Sequence, residues 1–334
     1  MDALLEQAIR HLKNTVHLAL EHGSKDPALV VFDEEFELTR LLVMAYRVVL
    51  PSATFVRITE TTGEAIRARF KQMPKGGLVV LVQSTNFRLN EFRFRLEIFA
   101  CGLKTIEHIH LARMDQEQWP TYIAALQYDP TYFRPLGHAL KKRLDTCTRA
   151  VVECGSYRLT YDGPMEISKL NVGDYAGMKN IGGTFPIGEV FTEPQDLSKT
   201  NGKVLIYGFA GPDHMVQTQE PFLGIVREGI FEAPDAPPAF QETLALIRAQ
   251  ERVLVREFGL GLNPAMNRTH VVSDITAYER MHGLHLSLGE KHGVYKKPGL
   301  EPGKTRYHVD VFVAADRILL DEEVVFEDGR YLAV

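Results

Sequence analysis

The sequence has few cysteines and lacks a long apolar run. Its three cysteines are Cys101, Cys147 and Cys154, and none belongs to a C-x-x-C pair. This sparse set argues against a disulfide framework and favours a reducing compartment. No apolar stretch reaches the roughly 18 residues of a membrane span, and the N-terminus lacks a cationic segment followed by an apolar core. We therefore expect a cytoplasmic protein without a membrane partner.

Two further absences narrow the possible functions. The formal net charge is -5, and no basic stripe is interleaved with aromatic residues, so we expect no nucleic-acid partner. The chain contains neither a G-x-G-x-x-G nor a Walker loop, so nothing supports a nucleotide site. His108 and His110 alternate along a predicted strand, but no third ligand lies nearby in the sequence. We interpret both as surface or edge histidines.

The pattern of apolar residues changes in the middle of the chain. A length of 334 residues suggests about two domains. Apolar runs at residues 28–32, 53–58, 77–82 and 105–111 alternate with helical patterns, which predicts a parallel sheet. We therefore predict a doubly wound, Rossmann-like α/β domain over residues 1–152. Short alternating runs follow, with a helix predicted over 240–255 and antiparallel strands over 306–326, so residues 153–334 are predicted to form a mixed α+β metal-binding domain.

His308 and Asp310 are the first candidate ligands. They are two residues apart in a β-branched, aromatic run, so on a strand they point to the same face. An imidazole beside a carboxylate on a rigid strand is a good pair of metal ligands. The pattern is also compatible with a strand end that carries two solvated polar residues.

Three upstream residues strengthen the metal hypothesis. Glu189 follows a glycine in an apolar segment, where a buried carboxylate needs a cation or hydrogen-bond donors; a turn glutamate paired to a lysine is the alternative. Glu257 is predicted where a helix runs into a glycine-rich turn, and His285 lies on a predicted strand, where it could also be a core histidine. With His308 and Asp310, these side chains match the requirement of two divalent cations about 3.5–4 Å apart.

Four segments, in order, resemble the signatures of the thermophilic metalloaminopeptidases, the aminopeptidase T/S group of leucyl aminopeptidases (peptidase family M29). They are residues 188–194, 257–264, 285–289 and 308–310. The resemblance implies a homodimeric hydrolase, a metalloprotease that releases N-terminal residues from short peptides through a metal-bound hydroxide. It also implies that two zinc, cobalt or manganese ions are held by Glu189, Glu257, His285, His308 and Asp310.

Two residues are expected to act in catalysis. Glu257 would be the bridging ligand or a proton shuttle. The family has a tyrosine at the metal centre seven residues after the third-motif histidine, and this chain has His292 there. His292 would then be a sixth ligand or a donor to an oxyanion.

The chain also resembles the dihydroxypyridine ring-cleaving dioxygenases, relatives on the same fold, in its length and its closing His-x-Asp. That resemblance implies one Fe(II) held by His285, His308 and Asp310, and an aromatic or N-heterocyclic acid as substrate. In that group a histidine stands in place of Glu257 and the acid at Glu189 is absent, so the two acids favour the hydrolase. A third hypothesis is a non-enzymatic binding protein that has kept the fold.

Overall fold

The structure of the chain is a computed structural model that describes residues 2–89, 92–301 and 303–332. Contacts group the chain into two compact units. The first unit comprises Met1–Arg134, Val172–Ile187 and Val272–Ala277, and the second comprises Pro135–Asn171, Gly188–Val271 and Tyr278–Val334. The division after residue 152 inferred from the sequence stays a prediction.

The described helices lie mainly in the first half of the chain. They are α1 (Asp2–Asn14), α2 (Glu37–Val49), α3 (Gly63–Gln72), α4 (Phe94–Ala100), α5 (Trp119–Ala125), α6 (Pro130–Leu144), α7 (Pro238–Arg248) and α8 (Ile275–Tyr278), with a π-helical turn at Thr15–Ala19. None of these helices is both long enough and apolar enough to cross a lipid bilayer.

A five-stranded parallel sheet forms the centre of the first unit. Its order is β2-β1-β3-β6-β10, and its strands are β1 (Ala28–Phe32), β2 (Thr54–Arg57), β3 (Leu78–Val82), β6 (Lys104–His108) and β10 (Gly182–Thr184). Strands β1 and β3 are buried along their whole length, because helices cover both faces of such a sheet. On one face, Leu29, Val31, Val79 and Leu81 pack against apolar residues of α3 and α4.

A large antiparallel sheet forms the second unit. Its main path is β20-β19-β18-β7-β8-β12-β17-β16-β15-β11-β9; off this path β13 pairs with β12, and β14 pairs with β13. The strands are β7 (Arg149–Cys154), β8 (Tyr157–Asp162), β9 (Lys169–Asn171), β11 (Glu189–Thr192), β12 (Thr200–Ala210), β13 (Val216–Arg227), β14 (Ile230–Glu232), β15 (Val255–Gly261), β16 (Gly283–Leu288), β17 (Val309–Val313), β18 (Arg317–Leu320), β19 (Glu323–Glu327) and β20 (Arg330–Tyr331). The short strands β4 (Arg88–Leu89) and β5 (Phe92–Arg93) pair antiparallel with each other. The mixed α/β class with a parallel and an antiparallel sheet is confirmed.

Two local predictions were wrong. The helix expected over 240–255 ends at Arg248, and Glu257 lies inside β15 and not at a helix end. The helical pattern is real, but the next apolar residues belong to a strand that is buried on both faces, so their spacing also fits a helix.

His108 is neither a surface nor an edge residue. It ends β6, an inner strand, and its side chain is buried. Its Nε2 lies 2.7 Å from the Tyr46 hydroxyl and its Nδ1 lies 2.8 Å from the Tyr122 hydroxyl. Burial lowers the pKa of His108 to about 3, so the imidazole is a neutral, hydrogen-bonded core residue.

Candidate metal centre

Adjacent strands of the antiparallel sheet bring the predicted ligands together. Strands β11, β15, β16 and β17 are consecutive neighbours. Glu189 pairs with Gly261, His285 pairs with Gly259, and Asp310 pairs with the residue two after His285. His308 directly precedes β17. Residues up to 121 positions apart in the sequence therefore lie on four consecutive strands of one sheet.

The five side chains form two overlapping groups. Glu189, Glu257 and His285 make one group, and Glu257, His308 and Asp310 make the other; within each, the ligand atoms lie within 4.8 Å of one another. His285 Nε2 is 3.2 Å from Glu257 Oε1 and 3.4 Å from Glu189 Oε1, and His308 Nε2 is 3.2 Å from Asp310 Oδ1. Glu257 is common to both groups, which is the position of a carboxylate that bridges two cations.

A β-bulge directs the Glu257 side chain into this site. Val255 pairs with Leu288 and Phe258 pairs with Leu286, so two residues of β15 stand opposite one residue of β16. The backbone N–H of Glu257 donates to the Ser287 hydroxyl at 3.0 Å. Bulges commonly re-aim a side chain next to an active site. Here the Glu257 N–H, which the bulge removes from the strand pairing, is bonded to Ser287 instead.

The glycines of β15 make room for the site. A Cβ atom on Gly259 would lie 2.1 Å from His285 Nε2, and one on Gly261 would lie 1.9 Å from the Met281 carbonyl oxygen. Neither glycine has a positive φ. Close approach of the neighbouring strand, and not a turn, therefore explains the glycines.

Three carboxylates are buried close together at this site. Glu189, Glu257 and Asp310 are each at most 6% exposed. Burial opposes charge on the imidazoles, but the carboxylates outweigh it: they raise the pKa of His285 well above its usual value, and Asp310 and Glu257 raise that of His308 to about 10. Buried carboxylates in this number need cations, so the site favours divalent metal ions.

The hydrogen bonds of His308 fit a metal ligand. Its Nδ1 lies 3.2 Å from the Lys291 carbonyl oxygen. A carbonyl only accepts, so Nδ1 carries the hydrogen, and in the neutral ring the Nε2 lone pair faces Asp310. Oδ1 of Asp310 is buried without a directed hydrogen bond. A lone pair and a carboxylate oxygen that converge in this way are what a cation requires.

Sequence reasoning missed two residues beside the ligands. The Arg280 guanidinium is 10% exposed; its Nη1 lies 3.3 Å from Glu189 Oε2, and it pairs with Glu279. Burial raises the pKa of Glu279 to about 8 against the opposing charge of Arg280. The available signal was an acidic-basic pair between the short helix α8 and a buried strand, but such pairs usually lie on the surface.

No protein-family model matches the chain, and no curated protein matches it significantly.

Structural comparison finds proteins with the same fold. A structure titled 2,5-dihydroxypyridine dioxygenase from Pseudomonas putida aligns with a TM-score of 0.65 at 13% identity, covering 99% of this chain and 98% of that one. The structure of wild-type AmpT from Thermus thermophilus aligns with a TM-score of 0.61 at 13% identity, covering 98% of this chain and 99% of that one. At this identity the similarity shows the fold, and the function has to be argued from the site.

Proposed function

We propose that the protein is a metal-dependent hydrolase that binds two divalent cations, and that it acts as an aminopeptidase on short peptides or related small amides. The observation that carries the proposal is the presence of Glu257 in both ligand groups. When bound, such cations polarise the carbonyl oxygen of an amide and lower the pKa of water. The fold shared with AmpT agrees with this proposal.

The five predicted ligands can be assigned to two cations. Glu189 and His285 would hold one cation, and His308 and Asp310 the other, with Glu257 between them. Burial would raise the pKa of Glu257, and the His285 imidazole beside it lowers that pKa. The role of bridging ligand for Glu257 rests on its place in both groups of ligand atoms.

The second candidate is an Fe(II)-dependent ring-cleaving dioxygenase, and the fold shared with the dihydroxypyridine dioxygenase favours it. It would use His285, His308 and Asp310 as a two-histidine, one-carboxylate site. Among the described residues, however, His285 groups with the two glutamates, and not with His308 and Asp310. Both glutamates also point into the site. This arrangement supports the hydrolase over the oxygenase.

Metal analysis and a substrate panel separate the candidates. Protein purified without chelator is analysed by mass spectrometry for the element and the number of ions per chain. It is then assayed on amino-acid amides and, with an oxygen electrode, on hydroxylated pyridines. Two ions with amide hydrolysis support the hydrolase. One iron with oxygen consumption contradicts it, and the absence of both metal and turnover favours a binding protein.

Glu189→Gln tests the assignment of the ligands. It keeps the side-chain volume and removes the charge, so we expect loss of activity and of metal, with an unchanged circular dichroism spectrum. The exposed Glu301, which pairs with Lys304 on the surface, provides the control Glu301→Gln. Full activity in Glu189→Gln contradicts the proposal.

A further inference from the structure

The ring of His292 is held in one tautomer by its own loop. Its Nδ1 accepts hydrogen bonds from the backbone N–H groups of Val294 at 3.1 Å and Tyr295 at 3.3 Å. A backbone N–H only donates, so Nδ1 carries no hydrogen, and the hydrogen of the neutral ring lies on Nε2. His308 has the opposite arrangement, since its Nδ1 donates to a carbonyl.

The Nε2 atom of His292 faces the site. It lies 2.9 Å from Glu257 Oε2, and the side chain is 2% exposed. The atom is nevertheless among the buried nitrogens without a directed hydrogen bond, because its N–H does not point along the line to that oxygen. A hydrogen on Nε2 prevents this atom from binding a metal as a neutral imidazole, but leaves it free to donate to an oxygen atom of a ligand.

A buried arginine holds the loop that carries His292. The Arg256 guanidinium is 2% exposed, donates from Nη1 to the Glu290 carbonyl oxygen at 2.5 Å, and donates from Nη2 to the Tyr295 carbonyl oxygen at 3.3 Å. These carbonyls stand on either side of His292 in the sequence. Since Arg256 immediately precedes Glu257, one short segment of β15 provides both the carboxylate of the site and the anchor of the loop.

A buried acid fixes the arginine in turn. Glu193 accepts from Arg256 Nε at 2.6 Å and from Nη2 at 3.0 Å, and its side chain is fully buried. Lys297, at the end of the loop, lies 3.3 Å from Glu193 Oε1 and 2.6 Å from Glu166 Oε1. The two parallel hydrogen bonds from Arg256 to Glu193 need a planar guanidinium group, which a lysine cannot reproduce.

We infer that Arg256 and Glu193 are positioning residues that hold His292 as an Nε2–H hydrogen-bond donor beside Glu257, and not as a metal ligand. The tautomer and its anchoring follow from the contacts above. That the donor serves an oxygen atom of the substrate rests on the proposed function.

Nitrogen NMR of the whole protein tests the inference directly. In protein labelled with ¹⁵N-histidine, long-range proton–nitrogen correlations report which ring nitrogen is protonated. His292→Gln and His308→Gln assign the two rings. We expect His292 to be protonated on Nε2, both in the metal-free protein and after addition of Zn²⁺, and the Zn²⁺ stoichiometry of His292→Gln to equal that of the wild type.

Arg256→Lys tests the anchor. The substitution keeps the positive charge but loses the forked guanidinium group. We therefore expect the proton–nitrogen correlations of His292 to average between the two tautomers, while the Zn²⁺ stoichiometry is retained. The control is Arg252→Lys, because Arg252 contacts the side chain of Glu290 from the surface and is 59% exposed; we expect it to keep the wild-type pattern. If Arg256→Lys does not fold, Tyr295→Phe decides, since it removes the hydroxyl that donates to the Ile167 and Phe191 carbonyl oxygens and so loosens the same loop. We expect the His292 ring to average between tautomers in this variant too.

Three results overturn the inference. They are an Nδ1-protonated His292, a His292 Nε2 resonance that moves to that of a metal-bound nitrogen on addition of Zn²⁺, and a wild-type pattern in both loop variants. Failure of the proposed function can be told apart from failure of this inference. The former appears as a lack of Zn²⁺ uptake or of amide turnover, whereas the tautomer of His292 can still be measured in the metal-free protein.

Discussion

Replacing Gly259 by alanine should remove one of the two proposed cations. The new Cβ would lie 2.1 Å from His285 Nε2 and 2.2 Å from Cε1, whereas real Cβ contacts stay above 3.0 Å. Because the strands on both sides are packed, the imidazole must move by about 1 Å. Metal–ligand distances tolerate only about 0.2 Å. The group of Glu189, Glu257 and His285 should therefore lose its ion, and the group of His308 and Asp310 should keep its own.

The size of the effect follows from two estimates. Displacement of a residue that only supports a ligand typically costs about 10–100-fold in metal affinity, so displacement of the ligand itself should cost at least that much. Overpacking adds roughly 1–3 kcal/mol of destabilisation. We expect Zn²⁺ titration against a competing chelator to show one tight site in place of two, with a modest decrease in melting temperature.

The control for this substitution is Gly293→Ala. A Cβ there meets no atom within 4 Å, and the backbone does not have a positive φ. Its metal content and stability should equal those of the wild type. Binding of both ions with unchanged affinity by Gly259→Ala would refute the placement of His285 as a ligand.

Three more predictions follow from the structure. Glu257→Gln should lose both ions, whereas Asp310→Asn should lose one, as counted by mass spectrometry; equal losses would contradict the shared role. The folded-state pKa of His108, about 3, is below its unfolded value of 6.5, so the native state binds fewer protons and loses about 1.4 kcal/mol of stability per pH unit as the pH falls from 6 to 4. His108→Gln should flatten that slope in urea unfolding. Iodoacetamide at pH 8 should label Cys101 in the native protein. Cys147 and Cys154 should be protected, because burial raises the pKa of each thiol to about 11.

Two of the three acids at the candidate centre face imidazoles, whose charge depends on a bound proton, and the third faces Arg280. A stabilising cluster would pair each buried acid with a base, as Arg256 pairs with Glu193. At the candidate centre, Arg280 faces Glu189 and Glu279, while Glu257 and Asp310 face imidazoles. Dications would take over the role of positive partner for these acids and displace the protons from the imidazoles.

Much of the fold could be predicted from local patterns. The strands around Val30 and Val80 and the helix at residues 63–72 were recognisable, because burial on both faces or on one helical face leaves a period in the sequence. The same logic placed His285 on a strand. It failed at Glu257, because a wholly buried strand has no alternation and a glycine within it resembles a helix end.

The sequence alone determined which side chains are available to the site: three carboxylates and two imidazoles on short apolar segments, with His292 following in a loop. Only the tertiary structure decided how they are used. The position of Glu257 in both ligand groups depends on a bulge opposite Ser287, and the space for His285 depends on Gly259 of the adjacent strand. The tautomers of His292 and His308 depend on backbone groups of one loop. Most of these contacts join residues that are distant in the chain, and no local pattern records them.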